Sequence, residues 1–402
     1  MALSLLEQSL VRIIQGAKGS FISPKIQVRR FPFMGLGVEV TERLNPGEVV
    51  FVASREVWQE YSAAVARQEA LIQAPAFVER VDAYCGLNHR MAEAALLATH
   101  IVLADPSDVY LQSLPQVVDV PMYWSERRLD ELRNCDVLDT IAQARHFYRK
   151  MHVDLFGTAP MVSGVAFQWA LSVLMSRATS GKDQPFTLIP FFEWFNHTAS
   201  PSACAHEFVE EDESFVVRTT QAHQPHEQLF INYGDHSPST FLRHYGFASI
   251  EQTRTLDPVK IKEPLSFLDI PDSDPTKRAK LDLLRSRRWP DKKLEPYTIH
   301  MNDSSNSVEF EWLRLLVASK EELDHYSNNG RQWLDTNSKR VWSLLRTLCS
   351  NRLSMYSTTA EDDLALLQNQ GITLEPWLAS CVNIRLGEKL VLRSFMDRTA
   401  SK

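Results

Sequence analysis

Two tyrosines, each followed by glycine, stand twelve positions apart in LFINYGDHSPSTFLRHYGF, residues 229–247: Tyr233-Gly234 and Tyr245-Gly246. A phenol joins an orienting hydroxyl to an apolar ring. A pair of them at the ends of one short segment raises the prospect of a site that aligns a reactive group. Upstream, the polar pair Asn196-His197 closes the otherwise apolar IPFFEWFNH, and a glycine pattern, MGLGV, occupies residues 34–38. Taken singly, each has an ordinary explanation: a tight turn for GxG, a satisfied core hydrogen bond for Asn-His, packing for a tyrosine at a strand edge. Metal chemistry is the other class these residue types allow. His223 and His226 lie three apart with His206-Glu207 nearby, yet their strand-and-loop context offers no helix face to gather them and no HExxH occurs. Solvated loop histidines explain them.

The elements that must position these residues follow from hydrophobic period. Residues 25–52 hold two β-branched runs, Ile26–Val28 and Val49–Val52, around a Gly35-Leu36-Gly37 turn and an Asn45-Pro46-Gly47 turn. Residues 56–180 change to helical spacing in AEAALLATHIVLAD, DVLDTIAQARHFYRKM and VAFQWALSVLMSRA, broken by the Pro115 and Pro121 loop. Strand patterns return at Phe186–Pro190, Ser214–Arg218 and Gln228–Asn232. From about residue 258 the chain is helical again, with one stripe at Phe310, Leu313, Leu316 and Val317 and another at Val341, Leu344, Leu345 and Leu348. Thr358 with Glu361 reads as a capping box opening EDDLALLQ. The Pro- and charge-rich stretch 251–300 suits a boundary. Sheet, helical insert, sheet and helical tail give an α+β fold, because a doubly wound nucleotide fold would alternate strand and helix more regularly.

At 402 residues, with 44% hydrophobic and 23% charged content, the chain has length for two domains and a sizeable core. Its 43 basic and 50 acidic residues leave a net charge of -7, so no global positive field would draw it to nucleic acid or an anionic membrane. Five scattered cysteines without a CxxC pair read as free thiols in a reducing compartment, cytoplasmic or nuclear. That compartment also argues against glycosylation of the sequons at Asn196 and Asn302. No apolar run reaches the roughly 20 residues of a membrane span. The amphipathic start, MALSLLEQSLVRIIQGAKGS, is expected to be a docked helix ending at Gly16, with an organelle-targeting peptide as the alternative.

In order along the chain, MGLGV, SRA at 176–178, Asn196-His197, Tyr233-Gly234 and YGF resemble the SET-domain protein methyltransferases. More narrowly they resemble the branch that holds the plant Rubisco large-subunit lysine methyltransferase and the actin histidine methyltransferase. RRFPFMGLGVEVTERLNPGEVVF resembles the first SET segment, VYLQSLP and FQWALSVLMSRA the helical insert, and YSTTAEDDLALL and LGEKLVL the C-terminal substrate-binding domain. The resemblance implies a SET domain over 21–250, its insert at about 56–180, and a helical substrate-binding domain over 258–402. It also implies S-adenosyl-L-methionine as cofactor, bound by the backbone of Gly35, Leu36 and Gly37, by Arg177 through the carboxylate, by Asn196 and His197, and by Phe247 packing. Glu193 falls on the family's acidic position and Tyr233 also borders the cofactor. Tyr233 and Tyr245 would stand at the two sides of a narrow channel and orient a neutral nitrogen, Tyr233 being the catalytic tyrosine.

Several residues depart from the family pattern. Glu193 replaces the usual Asp three before the Asn, Ser237-Pro238 replaces Ser-Asn, and His226-Glu227 stands where Gly-Glu is common. No Cys-rich tail is present to close the channel. Relatives that modify histidine carry a small residue in place of the YGF tyrosine, so retention of Tyr245 implies lysine. The expectation is a monomeric protein-lysine N-methyltransferase acting on a non-histone protein substrate, with no direct nucleic-acid or membrane partner. Histidine methylation and a catalytically silent SET-fold binding protein are the alternatives.

Overall fold

The strand-forming stretches assemble into two four-stranded sheets. In the computed structural model, which describes residues 3–157, 161–181, 185–263, 270–286, 297–300, 308–370 and 374–400, the strands of these two sheets are β1 (Phe21–Ile22), β2 (Ile26–Phe31), β3 (Gly35–Val40), β4 (Val49–Ser54), β5 (Asn196–His197), β6 (Ala205–Val209), β7 (Ser214–Arg218) and β8 (Gln228–Ile231), and Val259–Lys260 pairs with Thr298–Ile299 as a separate two-stranded sheet. The sequon at Asn302 lies outside the described residues. One sheet runs β1-β4-β7-β6 and the other β2-β3-β8-β5. All pairings in these sheets are antiparallel except β5 with β8, which aligns Asn196 with Phe230 and His197 with Ile231. The apolar runs VVFVA and SFVV form the interior of the first sheet because β-branched and aromatic side chains fit a pleated surface. Phe51 stacks on Phe191 at 4.9 Å, and Phe192 meets Phe215 at 4.5 Å.

By its contacts the chain divides into two units. The first comprises Met1–Glu126 with Thr140–Arg254, the second Arg127–Asp139 with Thr255–Lys402. The first unit therefore reaches back before residue 21, and a short piece of the helical insert groups with the second. In the first unit α1 (Leu5–Gly16) begins at a capping box between Ser4 and Glu7. It buries Leu10 and Ile14 in the core, while Glu7 also pairs with Arg30 at 2.6 Å. The insert supplies α2 (His89–Leu103), α3 (Asp136–Phe156), whose opening turn belongs to the second unit, and α4 (Gly164–Arg177). A last helix of this unit, α5 (Pro238–Tyr245), places Pro238 in its first turn, where a missing N–H costs nothing.

Two expectations are corrected, and one strand went unforeseen. Gly35-Leu36-Gly37 is the start of β3, and the chain reverses one step earlier at Pro32-Phe33-Met34, where Phe33 has φ 64°. Phe186–Pro190 is no strand: Thr187 makes only isolated bridges to Thr179 and Ser62, and Pro190 has no N–H to extend a ladder. β6, around His206-Glu207, carries too polar a pattern to have been anticipated.

The second unit is mostly helical among its described residues, with α6 (Val308–Val317), α7 (Asp335–Ser354), α8 (Ala360–Gln370) and α9 (Pro376–Thr399). The capping box of α8 lies one residue later than the sequence suggests. Thr359 Oγ1 accepts from the Asp362 N–H at 3.1 Å, and Asp362 accepts from the Thr359 N–H at 2.9 Å. Thr358 instead accepts from Lys389 at 2.8 Å and donates to Asp363 at 2.9 Å. The core of this unit is ionic as well as apolar. Arg352, fully buried, reaches Asp136 at 3.1 Å and Glu388 at 3.4 Å, and Glu388 accepts the Asp136 N–H at 2.7 Å and the Tyr356 hydroxyl. Asp363 in turn holds Arg385 at 2.7 Å and Lys389 at 2.5 Å.

Candidate active site

Parallel pairing of β5 with β8 brings Asn196-His197 beside the strand that leads into Tyr233. Asn196 Nδ2 donates to the Leu36 carbonyl at 3.0 Å, tying the Asn-His pair to the glycine segment of β3 and leaving its own side-chain carbonyl available. Gly37 is required by close approach: a Cβ there would lie 2.5 Å from Gln228 Nε2 and 2.6 Å from the Phe31 ring. Gly35, at φ 75°, is exposed with open space around it.

The tautomer of His197 is fixed by its partners. The Tyr233 backbone N–H can only donate, so Nδ1 accepts it at 3.2 Å; the Gln252 carbonyl can only accept, so Nε2 carries the proton at 3.2 Å. Burial lowers the pKa of this ring, and it stays neutral. Around it gather Phe241 at 4.5 Å, Tyr233 at 5.2 Å and Phe247 at 6.0 Å.

Tyr233 and Tyr245 meet face to face, ring centres 4.8 Å apart and planes 25° from parallel. Stacked rings leave no gap for a side chain between them, so they form one shared wall where the sequence reading put them on opposite sides. The Tyr233 hydroxyl donates to the Phe195 carbonyl at 2.8 Å. Burial raises both phenol pKa values, that of Tyr245 to about 12. Neither ionises near neutral pH.

The charged members lie within electrostatic reach of Tyr233. Arg177 ends α4, donates to Ser176 Oγ at 3.1 Å, and its charge is felt by Glu193 and Tyr233. Burial pushes Glu193 up to about 7. Its Oε2 is enclosed, though the side-chain stem is partly accessible, and it interacts electrostatically with the buried Tyr110 hydroxyl without reaching hydrogen-bond geometry. The structure thus brings Leu36, Asn196, His197, Tyr233, Tyr245 and Phe247 into one connected set and puts Arg177 and Glu193 within electrostatic reach. Tyr110, Phe241 and Gln252 were missed, because apolar helix positions and a loop carbonyl give no sequence signal.

The departures in sequence have local accounts. His226, standing where glycine was expected, adopts φ 73° and donates its N–H to the Val40 carbonyl at 2.7 Å. His223 pairs with Glu227 at 3.2 Å, and His206 packs on Phe192 and Phe215. Among the described residues no three His, Cys, Asp or Glu side chains gather as a metal site.

The SET domain family model matches residues 35–234, which span the glycine segment, Arg177, Asn196-His197 and Tyr233. This is a SET-domain protein. A second family, Rubisco LSMT substrate-binding, matches residues 271–392 of the helical unit. The SET-domain chain is 25% identical over 341 residues to the actin-histidine N-methyltransferase of Canis lupus familiaris, covering 76% of this chain and 56% of that protein. It is 26% identical over 401 residues to the chloroplastic [fructose-bisphosphate aldolase]-lysine N-methyltransferase of Arabidopsis thaliana, covering 90% of this chain and 78% of that one. The chain thus spans little more than half the length of the actin-histidine enzymes it matches. Among solved structures, the SET domain of LSMT bound to lysine and AdoHcy superposes with a TM-score of 0.69 at 21% identity, over all of this chain and 92% of that one. Rubisco LSMT bound to AdoMet gives 0.70 at 22% identity, over 99% and 92%. The shared SET fold is mixed α+β with a helical C-terminal unit.

Proposed function

We propose that this SET-domain chain is an S-adenosyl-L-methionine-dependent protein-lysine N-methyltransferase acting on a non-histone protein. The observation that carries the reading is the stacked Tyr233–Tyr245 wall beside a neutral, doubly hydrogen-bonded His197. Tyr245 fills space beside Tyr233 that an imidazole acceptor would need. The curated relatives include both lysine and histidine methyltransferases, and this filled space favours lysine.

The residues present fit the cofactor. Its carboxylate would meet the guanidinium of Arg177, which can pair in bidentate fashion. Its cationic groups would lie near the side-chain carbonyl of Asn196. The open space at Gly35 admits a ligand to the backbone. When bound, it supplies a methyl carbon on a sulfonium, open to displacement by a neutral nitrogen.

The chain's own work is to deliver that nitrogen. A free lysine, with a pKa of about 10.4, costs roughly 4 to 5 kcal/mol to deprotonate at pH 7. An apolar wall of Tyr233, Tyr245, Phe241 and Phe247 disfavours the ammonium by desolvation, so the proton leaves to solvent without a dedicated strong base. Tyr233, protonated and anchored on Phe195, holds a fixed oxygen whose lone pairs accept an amine N–H, aligning the nitrogen. The helical unit would recognise the substrate protein. All five cysteines are free thiols, which supports a reducing, cytosolic or nuclear compartment as part of the same proposal.

Incubation with radiolabelled cofactor and a lysate, then mass spectrometry of labelled bands, tests the reading. Methylated lysine is expected. Label on histidine would reassign the acceptor; a folded chain that neither labels protein nor binds the cofactor in calorimetry would be a silent scaffold.

A further inference from the structure

Beyond the second Tyr-Gly pair the chain folds back onto the strand that carries Asn196-His197. Residues 250–253 make a turn, closed by Thr253, whose N–H and hydroxyl both donate to the Ile250 carbonyl, at 3.4 and 3.1 Å. The turn brings two acceptors of one residue, Gln252, to that strand. Its backbone carbonyl accepts the His197 Nε2–H at 3.2 Å, and its side-chain Oε1 accepts the Ala199 N–H at 3.1 Å. Between them the Thr198 N–H still donates across to the Ile231 carbonyl at 2.9 Å, so Ala199 is where the ladder ends and the glutamine takes over. The neighbouring Arg254–Asp235 pair, at 3.1 Å, is exposed on both sides and adds little to this hold.

The side chain decides what the carbonyl can do. A peptide plane in an irregular turn has freedom to rotate, and the bond from Ala199 to Oε1 removes it. Without that bond the Gln252 carbonyl can swing toward solvent, and the Nε2–H of a buried ring loses its acceptor. The alternative open to a neutral imidazole is to carry its proton on Nδ1. Nδ1 would then be a donor set against another donor, the Tyr233 N–H that it now accepts at 3.2 Å. The ring would have to turn, and the backbone of Tyr233 would lose its hold.

We propose that Gln252 is a positioning residue for methyl transfer. Its side chain pins the turn on Ala199, its carbonyl keeps the His197 proton on Nε2, and the imidazole so fixed holds the backbone of the tyrosine whose hydroxyl aligns the attacking nitrogen. Gln252 acts through His197 rather than on the reacting atoms. The assignment rests on the reading above, which gives Tyr233 its task.

The test compares the full chain with Gln252→Met, which keeps the length of the side chain without its acceptor, and with Gln252→Glu, which restores one. Nitrogen-15 NMR of the His197 ring at about pH 8, where an imidazole is neutral, should show the parent chain protonated on Nε2 alone. Gln252→Met should move population to the Nδ1–H tautomer, and Gln252→Glu should return it. With radiolabelled S-adenosyl-L-methionine and lysate protein, the initial rate at saturating cofactor should fall about tenfold in Gln252→Met and largely recover in Gln252→Glu, while the half-saturating cofactor concentration changes less than about threefold. A glutamine that served packing alone would leave the ring proton where it is. If Gln252→Met fails to fold, hydrogen exchange in the unsubstituted chain decides: the Ala199 amide should be protected, and exchange at the rate of a free amide overturns the assignment. Ring nitrogens that do not move in Gln252→Met, or an unchanged rate, overturn the assignment alone. No transfer by the unsubstituted chain overturns the lysine reading and this assignment with it.

Discussion

A phenol whose hydroxyl is tied to a backbone carbonyl is a positioned oxygen rather than a base, and that is the state of Tyr233. Tyr233→Phe should lower turnover on the order of 100-fold while changing cofactor affinity by less than about threefold, because alignment is lost and binding groups are kept. Steady-state methyl transfer beside calorimetry with the cofactor would separate the two. Glu193 makes a second residue-scale prediction. Its folded pKa of about 7 lies above the ordinary 4.5, so between those values the folded chain keeps a proton that the unfolded chain has released. Its contribution to stability therefore falls as pH rises through this window and is a constant penalty above it, about 3 kcal/mol in size. Glu193→Gln should remove this slope. Urea denaturation at about pH 5 and pH 8 should show the variant gaining on the parent chain at the higher pH.

At the scale of elements, the second Tyr-Gly pair is explained by packing. Gly246 ends α5 at φ 82°, and a Cβ there would lie 2.2 Å from the Asp119 carbonyl oxygen. Gly246→Ala combines left-handed strain with a clash against backbone and should cost about 2 to 4 kcal/mol, visible as a lowered thermal midpoint. Thr359→Ala, removing the cap of α8, should cost about 1 kcal/mol. The sequence showed why these elements exist better than where they turn. The runs of β4, β7 and β8 and the stripes of α2, α4, α6 and α7 were legible, because burial on one or both faces imposes a period. Gly35-Leu36-Gly37 misled, since glycine marks a close approach within β3 as readily as a turn. In the site, Asn196, His197 and the two tyrosines were legible through an ordered pattern. Tyr110 and Phe241 were not, because an aromatic on a helix face looks the same whether it lines a site or fills a core. The stacking of Tyr233 on Tyr245 was equally hidden: spacing in sequence fixes no distance between rings.

The second unit, taken as a whole, owes its closure to charges in its interior. Arg352 is wholly enclosed between Asp136 and Glu388, and burial pushes the Glu388 carboxyl up to about 7. Arg352→Met leaves two carboxylates without their cation and should destabilise this unit by about 3 to 5 kcal/mol in urea titration. Adding Glu388→Gln should recover part of that loss, because a neutral amide needs no counter-charge. Asp136 and Glu388 are 252 residues apart in the chain. At ribosomal speeds of about 5 to 20 residues per second, Asp136 emerges on the order of ten seconds or more before its anchor has been translated. Residues 127–139 are therefore made long before the partner they dock on, and any fragment cloned from residue 255 onward would lack a segment of its own interior.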